Sequence, residues 1–163
     1  MTLKHKNGYL LISFGIILLD QISKWLVKSN LALYQKIDII PGFFQIRHIN
    51  NRGAVWGLFS NIPHTIVPKI ITAMSALALL FILYYFLKED RSCRMELISF
   101  SLIMGGALGN IIDRLIQGFV VDFLEFYIGK HYWPTFNVAD SCISVGVVIL
   151  VLALWRKPCP SVK

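Results

Sequence analysis

At 163 residues, 56% hydrophobic and with a mean hydropathy of +0.63, the chain is too apolar for an ordinary soluble domain and has room for one compact membrane domain of a few spans. The net charge of +7 does not point to nucleic acid, because the basic residues sit at the ends of apolar blocks, not in one stripe with interleaved aromatics. Cys93, Cys142 and Cys159 are odd in number and scattered, with neither C-x-x-C nor metal-ligand spacing, so no disulfide framework is indicated.

The first apolar block, Tyr9 to Val27, follows Lys4, His5 and Lys6 in the manner of a cleaved signal peptide. Against cleavage, it is long enough to span, contains Asp20 and Lys24, and lacks a small-x-small site, so it is read as a first transmembrane helix over about 9–28. Three more blocks have spanning length, at about 66–87, 95–116 and 138–155. The expected fold class is therefore an all-α polytopic membrane protein of one domain.

Between the first two spans, the segment at about 33–63 is too polar to cross. Lys36 to Ile40 and Phe43 to Ile49 are rich in β-branched and aromatic residues around the turn signal Pro41-Gly42, which predicts a hairpin. Asn50-Asn51-Arg52-Gly53 breaks the pattern, and Ala54 to Phe59, with Trp56 and Phe59, is expected as a short interfacial helix. Together they would form a small β-rich platform over the mouth of the helices. The second connection, about 117–136, alternates apolar residues around Asp122 and Glu125 and ends in His131-Tyr132-Trp133-Pro134, an aromatic belt followed by a helix stop.

Lys and Arg in the short flanking segments set the orientation. Lys4 and Lys6, then Lys88, Arg91 and Arg94, then Arg156, Lys157 and Lys163 all fall on one side of a four-span topology. That side is expected to be the cytoplasm, with both termini inside. Lys28, Lys36, Arg47, Arg52 and Lys130 lie opposite, diluted over two longer connections.

Helix rise then gives each polar residue a depth. Asp20 and Lys24 fall roughly 16 and 22 Å along the first helix, and Asn110 and Asp113 roughly 22 and 27 Å along the third. Asp140 begins the fourth helix at the same level. Ionisable groups in hydrocarbon mark functional sites by default. Asp20 and Lys24, four apart, can pair, either structurally or as part of a site. Asn110 shares a face with Asp113 and Arg114, a polar corner, although Arg114 could simply snorkel to headgroups. Gly105 and Gly109 permit close helix approach. Asn137 is a good N-cap with Asp140 three residues later, a pattern that capping alone would explain.

Asp122 and Asp140 are the candidate acid/base pair. Two carboxylates sharing one proton can activate water against a carbonyl while protonating its oxygen. Cys142 is expected to be an inert core cysteine. His5, His48, His64 and His131 lack metal-ligand spacing, and no cofactor or metal is expected. A proton-coupled transporter relaying through paired carboxylates and a non-catalytic assembly factor are the alternatives; many transporter folds show related halves, and none are visible here.

DQISK (Asp20 to Lys24), NRGAVWG (Asn51 to Gly57), GGALGNIIDR (Gly105 to Arg114), VVDF (Val120 to Phe123) and FNVADS (Phe136 to Ser141) resemble, in order, the motif series of the bacterial lipoprotein signal peptidases, or signal peptidase II. The resemblance implies a multi-pass aspartic endopeptidase of the cytoplasmic membrane that cuts prolipoproteins just before a diacylglyceryl-modified cysteine, at the outer, periplasmic face. It implies Asp122 and Asp140 as the catalytic dyad. Asp20, Lys24, Asn51, Gly53, Asn110, Arg114, Asn137 and Ala139 would support the dyad or contact substrate; Asp113, on the polar corner of the third helix, is read separately as support. Partners are then lipid-modified prolipoproteins and membrane lipids, and the protein is expected to act as a monomer.

Overall fold

The computed structural model describes residues 6–53, 66–88 and 94–156. Four helices are long and apolar enough to cross a membrane: α1 (Asn7–Asn30), α2 (Val67–Lys88), α3 (Arg94–Gln117) and α4 (Val138–Trp155). Four strands accompany them: β1 (Lys36–Ile40), β2 (Phe44–Asn51), β3 (Val120–Ile128) and β4 (His131–Tyr132).

Helix α3 is the hub, touching each of the other three. Its buried side is lined by small residues, Ser99, Ser101, Gly105, Gly106 and Gly109, which let neighbouring backbones approach where lipid supplies no hydrophobic drive to associate. A Cβ on Gly105 would lie 2.9 Å from Ile16 Cβ of α1, and one on Gly106 would collide with the carbonyl of Ala139 on α4. On the facing side, α4 buries Ala139, Gly146 and Ala153, one small residue every seven. Helix α1 turns Ser13, Ile16, Asp20, Lys24 and Val27 inward along a single face. Helix α2 is held differently, burying only Val67 and Pro68 at one end and Phe86 at the other, where Phe86 packs with Leu97, Phe100 and Met104.

The label all-α is corrected by the strands. The hairpin expected around Pro41-Gly42 forms as β1 and β2, but the second connection also contributes, and the sheet runs β1-β2-β3-β4, antiparallel throughout. An apolar cluster of Val27, Leu31, Val121 and Phe123 seats it on the end of α1. The sheet therefore lies at the end of the bundle where α1 and α3 finish and α4 begins. The interfacial helix expected at Ala54 to Phe59 falls outside the described residues.

Candidate active site

Backbone pairing brings distant parts of the chain to one point. Between Ile46 and Ile49 the β2–β3 register shifts by a bulge, after which Ile49 faces Asp122 and Asn51 faces Val120. Asn51 and Asp122 become diagonal neighbours on one face, and Asn51 Nδ2 donates to Asp122 Oδ2 at 2.8 Å. A slip of one residue would send Asn51 to the other face. Phe136 exchanges backbone hydrogen bonds with Leu124 at 2.8 and 3.0 Å, which pins the start of α4 to β3 and sets Asn137 beside Asp122.

Asn137 caps α4 in a complete capping box. Its Oδ1 accepts from the Asp140 backbone N–H at 2.9 Å, and Asp140 Oδ2 accepts from the Asn137 N–H at 3.3 Å. With its oxygen so used, the amide turns Nδ2 toward Asp122 Oδ1 at 2.7 Å and toward Asn110 Oδ1 at 3.2 Å. Asn110 mirrors this arrangement: Oδ1 accepts from Asn137 and from Lys24 Nζ (3.0 Å), leaving Nδ2 to donate to Asp140 Oδ1 at 2.7 Å. Two asparagines thus hold two aspartates.

Behind Asn110 lies the ion cluster. Lys24 Nζ reaches Asp20 Oδ2 at 2.7 Å and Asp113 Oδ2 at 3.0 Å, and all three residues are buried. Such charges persist in an apolar bundle only when paired and fully hydrogen-bonded. Asp20 Oδ1 also accepts from the Ala139 N–H at 3.0 Å, a carboxylate at the N-terminus of α4 where the helix dipole favours it. Ala139 is fully buried against α3, so its small side chain and free N–H are both used. Gln21 was not singled out from the sequence, yet its Nε2 contacts Asp20, the Gly109 carbonyl and Asp113 at 3.1–3.3 Å. An amide three residues before Lys24 in an apolar helix was the available signal.

Gly53 has φ of +93°, and its N–H donates to Asn51 Oδ1 at 2.7 Å, which fixes the amide for Asp122. A Cβ there would run into the Ile71 side chain of α2. Arg114 is half-buried in the last turn of α3, within electrostatic reach of Asp140, Asp122 and Asp113, and its buried Nε has no hydrogen-bond partner among the described residues. Cys142, expected in the core, is a free thiol that is only partly buried.

Asp122 is 1% exposed, and its carboxyl is pushed up to about 7 by burial and by the Asp140 carboxylate. Donation from Asn51 and Asn137 and the charge of Lys24 pull the other way without reversing the shift. A buried carboxyl that titrates near neutrality suits general acid/base work. Among the described residues no group of three His, Cys, Asp or Glu side chains is placed to hold a metal.

The model of the signal peptidase (SPase) II family matches residues 12–156. A lipoprotein signal peptidase of Symbiobacterium thermophilum is 42% identical over 145 residues, covering 89% of this chain and 92% of its relative. Its counterparts in Syntrophus aciditrophicus and Francisella tularensis subsp. novicida are 40% and 39% identical, covering 90% and 93% of this chain and 92% and 93% of theirs. A bacterial membrane enzyme solved in meso at 1.9 Å resolution superposes with a TM-score of 0.79 and 32% identity, over 93% of this chain and 95% of that one. A second, at 2.3 Å resolution, gives 0.78 and 30% over 96% and 95%.

Proposed function

Because the chain belongs to the signal peptidase II family, we propose that it is a membrane aspartic endopeptidase that removes signal peptides from diacylglyceryl-modified prolipoproteins, cutting before the lipidated cysteine. The observation that carries the mechanism is the pair Asp122 and Asp140, joined through the amides of Asn137 and Asn110 into one network. In this reading Asp122 carries the shared proton. Asp140, in the first turn of α4 and held by two donors, is its partner in the dyad.

The ionised carboxylate takes a proton from water as the water oxygen bonds to the scissile carbonyl carbon. The protonated carboxyl gives its proton to the carbonyl oxygen. Collapse of the tetrahedral diol breaks the C–N bond; the leaving amine of the lipidated cysteine takes a proton from the dyad while a diol hydroxyl returns one to it, restoring the one-proton state. The products are a signal peptide with a new carboxylate and a lipoprotein with a free α-amine. Lys24, Asp20 and Asp113 hold Asn110 and the start of α4, and so act as positioning residues. Arg114 is proposed to contact the substrate beside the dyad.

Lys and Arg at the chain ends and between α2 and α3 support an orientation with both termini in the cytoplasm and the dyad at the outer face. A scissile bond held at the membrane surface by a lipid anchor would meet a dyad at that depth. The protein is proposed to act as a monomer. The reading is tested by incubating wild-type protein, Asp122→Asn and Asp140→Asn with a synthetic lipidated precursor and following release of the signal peptide. Each variant should lose about 10²–10⁴-fold in kcat, the contribution of a positioned acid or base. Wild-type rates in both folded variants would dismiss the dyad.

A further inference from the structure

Where α1 and α3 end beside the sheet, a cavity of about 200 Å³ opens between them. Its floor is the α1 side of the ion cluster, Gln21, Lys24 and Asp113, and these groups satisfy one another: Lys24 Nζ is shared by Asp20 and Asp113, and Gln21 Nε2 reaches Asp113 Oδ1 at 3.1 Å. The rim is different. Lys28, exposed in the last turn of α1, donates to Oε1 of Gln117 at 2.6 Å, and its ammonium lies 5.9 Å from the centre of the Phe119 ring. Both partners are neutral, and no carboxylate among the described residues pairs with it. The C-terminal dipole of α1 matches about half of that charge, and the end of α3 has Arg114 for its own. Trp25 and Ile116, 65% and 79% exposed, form the outward wall. An exposed indole near the polar end of a spanning helix marks the level of lipid headgroups.

We propose that this cavity holds the headgroup of an anionic phospholipid, with Lys28 Nζ and Gln117 Nε2 donating to the phosphodiester and the acyl chains lying against Trp25 and Ile116. The volume is below the roughly 300 Å³ at which drug-sized pockets begin, so it admits a headgroup and leaves the chains outside. Gln117 has spent Oε1 on Lys28, which leaves its amide nitrogen to donate. A phosphodiester with an uncharged headgroup brings one negative charge to one unmatched cation, whereas ethanolamine or choline would bring a second cation beside Lys24 and Lys28. Gln21 has spent its nitrogen, so its Oε1 is an acceptor for a headgroup hydroxyl, and phosphatidylglycerol is the lipid with that chemistry. The ligand is a component of the bilayer and not the prolipoprotein, so the inference stands apart from the peptidase reading.

The test follows thermal unfolding of the whole protein in an uncharged detergent while phosphatidylglycerol, phosphatidylethanolamine or soluble glycerol phosphate is added. Phosphatidylglycerol should raise the midpoint and saturate, phosphatidylethanolamine should raise it less, and glycerol phosphate should leave it unchanged. Lys28→Gln should weaken the apparent Kd for phosphatidylglycerol about fivefold, the worth of one lysine at an anionic surface. Lys36→Gln, which removes an exposed cation of β1 outside the cavity, should keep the wild-type Kd. An equal response to phosphatidylethanolamine would overturn the inference, as would equal weakening in the Lys36 and Lys28 variants, the mark of diffuse attraction to a basic protein. A midpoint raised as much by glycerol phosphate would make the ligand a soluble phosphate and overturn the lipid assignment. Should Lys28→Gln misfold, phosphatidylglycerol brominated beside its glycerol reads the folded site by fluorescence. At one lipid per protein it should quench wild type and lose that part of the quenching in Trp25→Phe; quenching unchanged in Trp25→Phe would place the lipid elsewhere and overturn the site.

Discussion

Asn137 donates its Nδ2 to Oδ1 of Asn110 across 3.2 Å, so the two amides that hold the two carboxylates also hold each other. Neither amide can flip without loss: Asn110 would present a donor to the ammonium of Lys24, and Asn137 would present an oxygen to Asp122. The direct side-chain contacts on the two proposed catalytic carboxyls therefore come from uncharged amides, which the buried charges of Lys24, Asp20 and Asp113 hold in turn.

Asn110→Ala removes the donor to Asp140 and the acceptor for Lys24 and Asn137 together. Peptidase activity should fall at least about 100-fold, and stability by about 1–3 kcal/mol, the cost of buried polar groups left unpaired. Asn110→Asp, nearly the same shape, should be as inactive, since it lacks the donor and adds a third carboxylate. Turnover of lipidated precursor, measured beside thermal unfolding, checks both; an active, stable Asn110→Ala would contradict the proposed role.

The dyad predicts a pH dependence with a definite sign. Asp122 lies at about 7 in the folded protein against an ordinary value of 3.8, so between those values the folded state binds more protons than the unfolded one. This group's contribution to stability accordingly falls as pH rises through that window and is level above it. The rate constant kcat should decline as pH rises through about 7, when the dyad loses its shared proton. Thermal unfolding across the pH range should show the slope in wild type and lose it in Asp122→Asn.

Gly109 tests the close approach of three helices. A Cβ there would lie 2.5 Å from Asp20 Oδ2 and 3.5 Å from Ala139 Cβ, so Gly109→Ala should push α1 and α4 away from α3. Overpacking of this kind costs about 1–3 kcal/mol, and activity should fall with it because Asp20 loses its register with Ala139. Gly15→Ala, where no atom of the described residues lies within 4 Å, should be neutral or stabilising. Unfolding midpoints in detergent compare the pair.

Lys24→Met leaves Asp20 and Asp113 buried without their cation and should destabilise by about 3–5 kcal/mol. Adding Asp113→Asn, which discharges one of the two acids, should recover part of that stability. Activity should stay low in the double variant, because Asn110 Oδ1 still lacks its donor from Lys24. A double variant no more stable than Lys24→Met alone would argue against the ion cluster as described.

Much of the architecture was legible because it depends on local pattern. Apolar runs of spanning length mark α1 to α4, since a bilayer demands that length whatever the neighbours do. Pro41-Gly42 between two β-rich runs marks the hairpin, and Asn137 three residues before Asp140 marks the cap of α4. Helix rise within the four-span topology placed Asp20, Lys24, Asn110 and Asp113 toward the same end of the bundle as Asp140, which begins α4.

Tertiary structure decided what those residues touch. That β3 joins the hairpin, so that the protein is not all-α, depends on hydrogen bonds between segments some seventy residues apart, a pairing that no local periodicity encodes. The same long-range pairing, with its bulge after Ile46, turns Asn51 onto Asp122, and the Leu124–Phe136 bridge delivers Asn137 to the same carboxyl. Gln21 and the ion pair of Lys24 with Asp113 likewise emerge only when α1 and α3 meet. Residue types and depth are properties of a chain in a membrane and can be read along it, whereas hydrogen-bond partners are directional and belong to the packed arrangement of all its parts.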